Sequence, residues 1–146
     1  MNRNTVEILL VEDNPNDVEL TLHTLRKHNL ANRIHVVHDG EEALDFLFCR
    51  GAYQDRDAVT PKVILLDLKL PKVDGLEVLR QLRGDERTRV TPVVIMTSSR
   101  QEPDIVETYK LGINSYIVKP VDFDQFSESV RQIGCYWLLL NQPPKL

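Results

Sequence analysis

Four apolar segments of the sequence each end in polar side chains that can do chemistry. The segments are residues 6–11, 63–66, 93–96 and 115–118, and the side chains that follow or end them are Glu12 and Asp13, Asp67, Thr97 and Ser98, and Lys119. Short, nearly continuous apolar runs are typical of strands buried on both faces of a parallel sheet. Because the carboxyl ends of parallel strands meet along one edge, we expect the carboxylates, hydroxyls and ammonium group to lie close together.

Three carboxylates at one edge repel each other, and a hard divalent cation can hold them together. Two unit charges about 4 Å apart interact by roughly 4 kcal/mol at an effective dielectric constant near 20. Mg²⁺ binds one or two carboxylates together with water and phosphate oxygens, so the pattern indicates phosphoryl chemistry. Asp67 can then be the nucleophile. The metal and Lys119 can neutralise the developing charge, and Thr97 can donate a hydrogen bond to a phosphoryl oxygen.

Helical spacing and capping signals separate these strands, so strands and helices alternate along the chain. A further strand is predicted at residues 34–37, which gives five strands in all. Helix starts are indicated by Asn14 before Pro15, Asp39 with Glu42, Asp74 before Gly75, and Asp122, and Gly112 marks a helix end. This (βα)₅ pattern predicts an α/β fold, a doubly wound, flavodoxin-like parallel sheet of five strands in the order 2-1-3-4-5.

Size, charge and cysteine content exclude several classes of protein. The chain has 146 residues, a net charge of −4 and a sequence pI of about 5.5, which fits one folded domain without a basic footprint for nucleic acid. No apolar run approaches the roughly 18 residues needed to cross a bilayer, and the N-terminus has no secretory signal. Cys49 and Cys135 are too few for a disulfide framework or a zinc site. We expect a cytoplasmic protein that binds neither nucleic acid nor membrane.

The strand-end motifs resemble those of the receiver domain of two-component response regulators, the CheY-like superfamily. The motifs are residues 10–13 (LVED), 64–75 (ILLDLKLPKVDG), 95–98 (IMTS) and 116–120 (YIVKP), and the resemblance covers about residues 6–133. It implies that Asp67 is the phosphoacceptor and that Mg²⁺ (or Mn²⁺) is bound by Glu12, Asp13, Asp67 and the backbone carbonyl of Lys69. It also implies that the phosphoryl group is bound by Thr97, Ser98 and Lys119, that Tyr116 is a switch aromatic coupled to Thr97, and that the bond before Pro120 is cis.

Two residues depart from the commonest receiver pattern. Many relatives have Asp where this chain has Glu12, and the longer side chain reaches a metal directly or through water. Lys69 stands two residues after the acceptor, where the family controls access of hydrolytic water. We expect Lys69 to shield the site or to compete with the metal for the carboxylates.

The resemblance also implies partners. Receivers take their phosphoryl group from a histidine kinase, catalyse only their own phosphorylation and dephosphorylation, and can pass the group to a downstream relay protein. The long loop at residues 51–61 and the aromatic tail resemble single-domain regulators that partner bacterial or cyanobacterial phytochrome kinases. One receiver domain is predicted over residues 1–146, with residues 134–146 as an extension for interactions and no DNA-binding output domain. Apolar residues at heptad-like spacing predict a homodimer through the last helix, with a candidate surface of Phe123, Tyr136, Trp137 and Leu140.

Other interpretations stay open at this point. A flavodoxin-like cofactor protein shares the sheet order, but it needs a phosphate-cradling loop where this chain has Glu12 and Asp13. A phosphohydrolase of the haloacid-dehalogenase type needs a second Asp where this chain has Lys69. A degenerate receiver that never takes phosphate is the third alternative. For the last helix, a tail folded back onto its own domain and a dedicated surface for docking the kinase compete with the dimer.

Overall fold

Five parallel strands form one sheet in the computed structural model, which describes residues 6–30, 33–120 and 122–143. In chain order they are β1 (Ile8–Val11), β2 (Ile34–Val37), β3 (Val63–Leu66), β4 (Val93–Thr97) and β5 (Ser115–Val118). Their order across the sheet is β2-β1-β3-β4-β5, and every neighbouring pair is parallel. The predicted fold class and strand order are confirmed, although β1 begins at Ile8 rather than at residue 6.

Five α-helices follow the strands. They are α1 (Pro15–Lys27), α2 (Gly40–Leu47), α3 (Gly75–Gly84), α4 (Glu102–Lys110) and α5 (Phe123–Gly134). The predicted caps Asn14, Asp39, Asp74 and Asp122 each accept a hydrogen bond from a backbone N–H of the first helical turn. The start of α4 is different, because its capping residue Gln101 makes no side-chain hydrogen bond to the helix. Gly112 follows α4 with a φ of 74°, which agrees with its predicted place at a helix end.

A separate apolar cluster covers each face of the sheet. On one face, Leu9 and Val11 of β1 pack with apolar side chains of α2 and α3. On the other face, Ile8 and Leu10 pack with side chains of α1 and α5. Successive residues of a strand point to opposite faces, so a strand covered on both faces must be apolar throughout. The two-sided covering explains the continuous apolar runs in the sequence.

The last helix does not keep α-helical geometry to its end. A π-helical segment, Cys135–Leu140, follows α5, and the Asn141 N–H bonds to the Tyr136 carbonyl five residues earlier at 2.7 Å. Trp137 lies four residues after Ile133 and seven after Val130, on the stripe that α5 buries, and it enters the core with 8% of its surface exposed. The prediction that Trp137 lies on a dimer surface is therefore wrong, because this ring packs within its own domain.

The structure describes the predicted C-terminal extension as far as residue 143. Residues 144–146 of the predicted extension lie outside the described residues.

Within the ranges that the structure describes, none of the helices has both the length and the apolar character required for a membrane span.

Candidate metal and phosphoryl site

The side chains that follow the strands meet at the carboxyl-terminal edge of the sheet. Val11 pairs with Leu66, so Glu12 and Asp67 leave neighbouring strands at the same level. Thr97 pairs with Val118, which brings the end of β4 beside the residue before Lys119. The parallel register thus brings together the groups that the sequence distributes over more than a hundred residues.

The turn after β3 passes close to Asp67 because of a glycine. The Gly75 N–H bonds to the Leu68 carbonyl at 2.8 Å. A Cβ at Gly75 would lie 2.2 Å from the backbone oxygen of Asp67, a distance that real side-chain carbons do not adopt. Only glycine lets α3 begin this close to Asp67.

Three carboxylates form an acidic cluster at this edge. One oxygen from each of Glu12, Asp13 and Asp67 lies within 4.8 Å of the others. Glu12 and Asp67 are 4% and 8% exposed, whereas Asp13 is exposed to solvent. An all-oxygen donor set with an open side fits Mg²⁺ or Mn²⁺, which prefer oxygen ligands and, for Mg²⁺, retain several waters.

The backbone of Lys69 adjoins the same cluster. Its N–H donates to Asp67 Oδ1 at 3.2 Å. Within the described ranges no hydrogen bond to the Lys69 carbonyl is found, so this oxygen is available as a further metal ligand. The Lys69 side chain is exposed, and the ammonium beside Asp67 belongs to Lys119 instead. No contact therefore supports the expectation that Lys69 competes with the metal.

Lys119 binds three carboxylates at once. Its Nζ lies 2.5 Å from Glu12 Oε1, 2.9 Å from Asp17 Oδ2 and 2.9 Å from Asp67 Oδ2. An ammonium group has three N–H donors, so these partners use all of them. Burial acts to lower the pKa of Lys119, but the hydrogen bonds to the three carboxylates outweigh burial and raise it above its ordinary value. Lys119 is therefore a permanent positive charge beside Asp67.

Burial shifts the pKa of the Glu12 carboxyl group. Burial raises the pKa of Glu12 from 4.5 to about 7, and the negative charge of Asp67 adds to this, although Lys119 acts in the opposite direction. Glu12 therefore keeps its proton to a higher pH than an exposed glutamate does. A divalent cation that binds the deprotonated carboxylates would replace this proton.

The hydroxyl side of the site is formed at the end of β4. Thr97 is fully buried, and its Oγ1 receives the Ser99 N–H at 3.5 Å, a distance too long for a strong hydrogen bond. The Thr97 hydroxyl is therefore free to donate to a phosphoryl oxygen. Ser98 is exposed. The Tyr116 hydroxyl donates to the Ser99 carbonyl at 3.0 Å, which links β5 to the segment after Thr97.

Sequence reasoning missed Asp17 as a member of this site. Asp17 lies in the first turn of α1, where an acidic residue is commonly explained by the helix dipole. The signal in the sequence was its position one turn after Glu12 and Asp13. Only the packing of α1 against α5, the helix that follows β5, shows that the carboxylate reaches Lys119.

The predicted cis bond before Pro120 is a further correction. No peptide bond among the described residues is cis, so the Lys119–Pro120 bond is trans. The trans form of an X–Pro bond is favoured by about 0.5–1 kcal/mol. With this backbone Lys119 already reaches its three carboxylates, so the ammonium contacts do not require the cis form.

The chain belongs to the response regulator receiver domain family, whose pattern matches residues 8–131. This range includes all five strands and every side chain of the acidic cluster and of the Lys119 site. The match sets aside the cofactor-protein and phosphohydrolase interpretations.

Within the family, the chain is similar to regulators associated with phytochromes. Response regulator Rcp1 of Synechocystis sp. is 35% identical over 90% of this chain and 88% of Rcp1. A structure of the Mn²⁺-bound form of Rcp1 has a TM-score of 0.88, with 34% identity, and the match covers 94% of this chain and 98% of that one. A structure of the phosphorylated cyanobacterial phytochrome response regulator RcpA has a TM-score of 0.89 at 36% identity. The match covers 97% of this chain and 99% of RcpA. A structure of the bacteriophytochrome response regulator AtBRR is 54% identical and has a TM-score of 0.74. The match covers 94% of this chain and 99% of AtBRR.

Proposed function

We propose that this receiver works in a two-component phosphorelay and that Asp67 accepts a phosphoryl group from the phosphohistidine of a sensor kinase. The observation that carries the proposal is the position of the Asp67 carboxylate. It lies in one cluster with Glu12 and Asp13, and the Lys119 ammonium is 2.9 Å away. Phosphoryl transfer needs an acceptor oxygen beside groups that neutralise the transferred charge, and this arrangement supplies both.

The transfer moves one phosphoryl group between two side chains. An Asp67 carboxylate oxygen attacks phosphorus, the phosphorus–nitrogen bond of the phosphohistidine breaks, and its electron pair returns to the kinase imidazole. Lys119 and Thr97 then bind phosphoryl oxygens. In the return to the resting state, a water oxygen attacks phosphorus and the bond between phosphorus and Asp67 breaks. The products are inorganic phosphate and the Asp67 carboxylate, so the receiver catalyses only its own phosphorylation and dephosphorylation.

Mg²⁺ or Mn²⁺ is the cofactor that the donor set favours. Glu12, Asp13, Asp67 and the Lys69 carbonyl would hold the ion, which when bound supplies positive charge to the phosphoryl oxygens. The Mn²⁺-bound structure of Rcp1 supports a divalent ion in a similar receiver. Glu12 has the further role of releasing its proton when the ion binds, because burial holds its pKa near 7.

A phytochrome-type histidine kinase is the proposed phosphodonor. The likeness to RcpA and AtBRR, which are described as phytochrome and bacteriophytochrome response regulators, supports this choice. The proposal also includes a cytoplasmic location, one receiver domain over residues 1–146, and output through protein contacts, among them a downstream relay protein.

A homodimer through α5 and the segment after it is a second part of the proposal. Tyr136, Leu139 and Leu140 are 50%, 67% and 76% exposed and lie within five residues of each other, and neighbouring exposed apolar side chains are typical of interaction surfaces. Phe123 is 63% exposed at the other end of α5. Light scattering tests this part on phosphorylated and unphosphorylated samples. Twice the monomer mass in either state supports it, and Leu140→Ser should lower that mass while Val90→Ser, at another exposed apolar position, should not. Monomers in both states would exclude the dimer.

Intact-mass spectrometry after incubation with acetyl phosphate and Mg²⁺ tests the phosphoryl chemistry. We expect one phosphoryl group per chain, no adduct in EDTA and no adduct on Asp67→Asn. Asp124→Asn removes an exposed carboxylate from α5 and should keep the adduct. An adduct on Asp67→Asn at the wild-type level would show that the acceptor is another residue.

A further inference from the structure

Ser99, just after β4, joins three elements of the fold. It is 7% exposed, and its hydroxyl donates to Asp104 Oδ2 of α4 at 2.6 Å. Its carbonyl accepts a hydrogen bond from the Tyr116 hydroxyl of β5 at 3.0 Å. The chain itself connects Ser99 to Thr97, two residues earlier, at the end of β4.

The contacts of Ser99 differ greatly in strength. The hydrogen bond to the Asp104 carboxylate is short and charge-assisted, which makes it one of the stronger kinds. The Ser99 N–H reaches Thr97 Oγ1 only at 3.5 Å, where little energy is gained. If the Thr97 hydroxyl turns towards a phosphoryl oxygen, this long contact offers little resistance. The strong contact keeps Ser99 attached to α4, so a backbone shift that reaches Ser99 from Thr97 also reaches α4.

The first turn of α4 is held by Ser99 rather than by its own cap. Gln101 makes no capping hydrogen bond with its side chain, and its N–H points instead to Ser99 Oγ at 3.4 Å. The rest of α4 is lightly anchored, since Thr108 is its only buried residue. Val106 and Tyr109 on the same helix are 42% and 54% exposed. A helix with so few buried contacts moves at low cost.

We propose that Asp104 is a positioning residue that couples the phosphoryl state of Asp67 to the position of α4. The coupling rests on the proposed phosphorylation of Asp67 and adds a residue outside the metal and phosphoryl ligands. A shift of Thr97 moves Ser99 through the backbone, Ser99 pulls Asp104 through its hydroxyl, and α4 carries its exposed face with it. Without the Asp104 carboxylate the phosphoryl group still forms, but α4 does not follow. A switch requires such an element with two arrangements that a local charge change can bias.

Fluorine NMR on the full chain labelled with 3-fluorotyrosine tests this coupling. Tyr109 reports on α4 and Tyr116 on β5, and the chain has only four tyrosines, so each signal can be assigned by a Tyr→Phe variant. In the wild type, acetyl phosphate with Mg²⁺ should shift both signals. In Asp104→Ala, the phosphorylated fraction by intact mass should stay the same. The Tyr109 response should fall about tenfold, the effect of one charge-assisted hydrogen bond on an equilibrium.

Matched variants separate the Ser99 contact from the charge of the helix turn. Glu102→Ala removes an exposed carboxylate from the same turn and should keep the wild-type Tyr109 response. Ser99→Ala removes the same hydrogen bond from its other end and should lose the response, which keeps the test decisive if Asp104→Ala folds poorly. A full Tyr109 response in Ser99→Ala, or a wild type that is phosphorylated without any Tyr109 shift, would overturn the coupling alone. A wild type that gains no phosphoryl mass would overturn the proposed function together with the coupling.

Discussion

The metal-free protein should lose stability as the pH rises towards neutrality, and Glu12 should be the cause. Burial raises the pKa of Glu12 from 4.5 to about 7, so between these pH values the folded protein holds a proton that the unfolded chain has released. Where the folded state binds more protons, the free energy of unfolding falls as the pH rises. The difference in pKa corresponds to about 3 kcal/mol, which is a large part of the roughly 5–15 kcal/mol that stabilises a domain.

Urea unfolding in EDTA, measured from about pH 5 to about pH 8, gives the required free energies. Glu12→Gln does not titrate but keeps an oxygen that can accept from Lys119. The wild type should therefore lose about 2–3 kcal/mol relative to Glu12→Gln across this range. Glu19→Gln, which changes an exposed position on α1, should follow the wild type. Parallel pH profiles for the wild type and Glu12→Gln would refute the account of Glu12.

Mg²⁺ provides the second half of this test. Because the ion binds the deprotonated carboxylates of the folded state, it should restore stability at about pH 8 by mass action. Its affinity should weaken as the pH falls below about 7, where Glu12 takes up its proton. A stability that does not respond to Mg²⁺ at any pH would mean that the acidic cluster is not a metal site.

Further variants test the ammonium, the close turn and the core. Lys119→Met leaves its three carboxylates without a cation, so calorimetry should show tighter Mg²⁺ binding. Phosphorylation by acetyl phosphate should slow about 100-fold. An unchanged rate would show that Lys119 does not take part in the transfer. Gly75→Ala meets the Asp67 backbone oxygen at 2.2 Å and should cost about 2–4 kcal/mol in thermal unfolding. The matched control Gly84→Ala has open space around its Cβ and should be neutral or stabilising by up to about 1 kcal/mol. Trp137→Ala should cost about 3–5 kcal/mol and Tyr136→Ala below about 1 kcal/mol, and equal costs would contradict the buried position of Trp137.

The fold was predictable because each signal was local and repeated. The runs at β1 and β3 are buried at all four positions, so composition alone indicates strands covered on both faces. The caps at Asn14 and Asp74 depend on one side chain and the helical turn after it. The acidic cluster followed from these strands, because a parallel register brings the residues after them to one edge.

The other features of the site and of the last helix depended on tertiary packing, which a local sequence pattern does not contain. Asp17 joins Lys119 because α1 packs against α5, the helix that follows β5. The heptad-like spacing of the last helix predicts an apolar stripe but not what covers it, and Trp137 packs with Val130 and Ile133 in the core of its own domain. The hydrogen bond between Ser99 and Asp104 depends on the path of a loop and on the angle at which α4 begins.

Tryptic peptide mapping of the phosphorylated chain, with borohydride reduction of the acyl phosphate before digestion, tests the central claim most directly. Cleavage after Lys62 and Lys69 releases residues 63–69, VILLDLK, in which Asp67 is the only side-chain carboxylate. Residues 4–26 form a separate peptide that contains Glu12, Asp13 and Asp17. The account predicts that the reduced residue lies in peptide 63–69. A modification found in peptide 4–26, with 63–69 unchanged, would contradict the assignment of Asp67 as the acceptor.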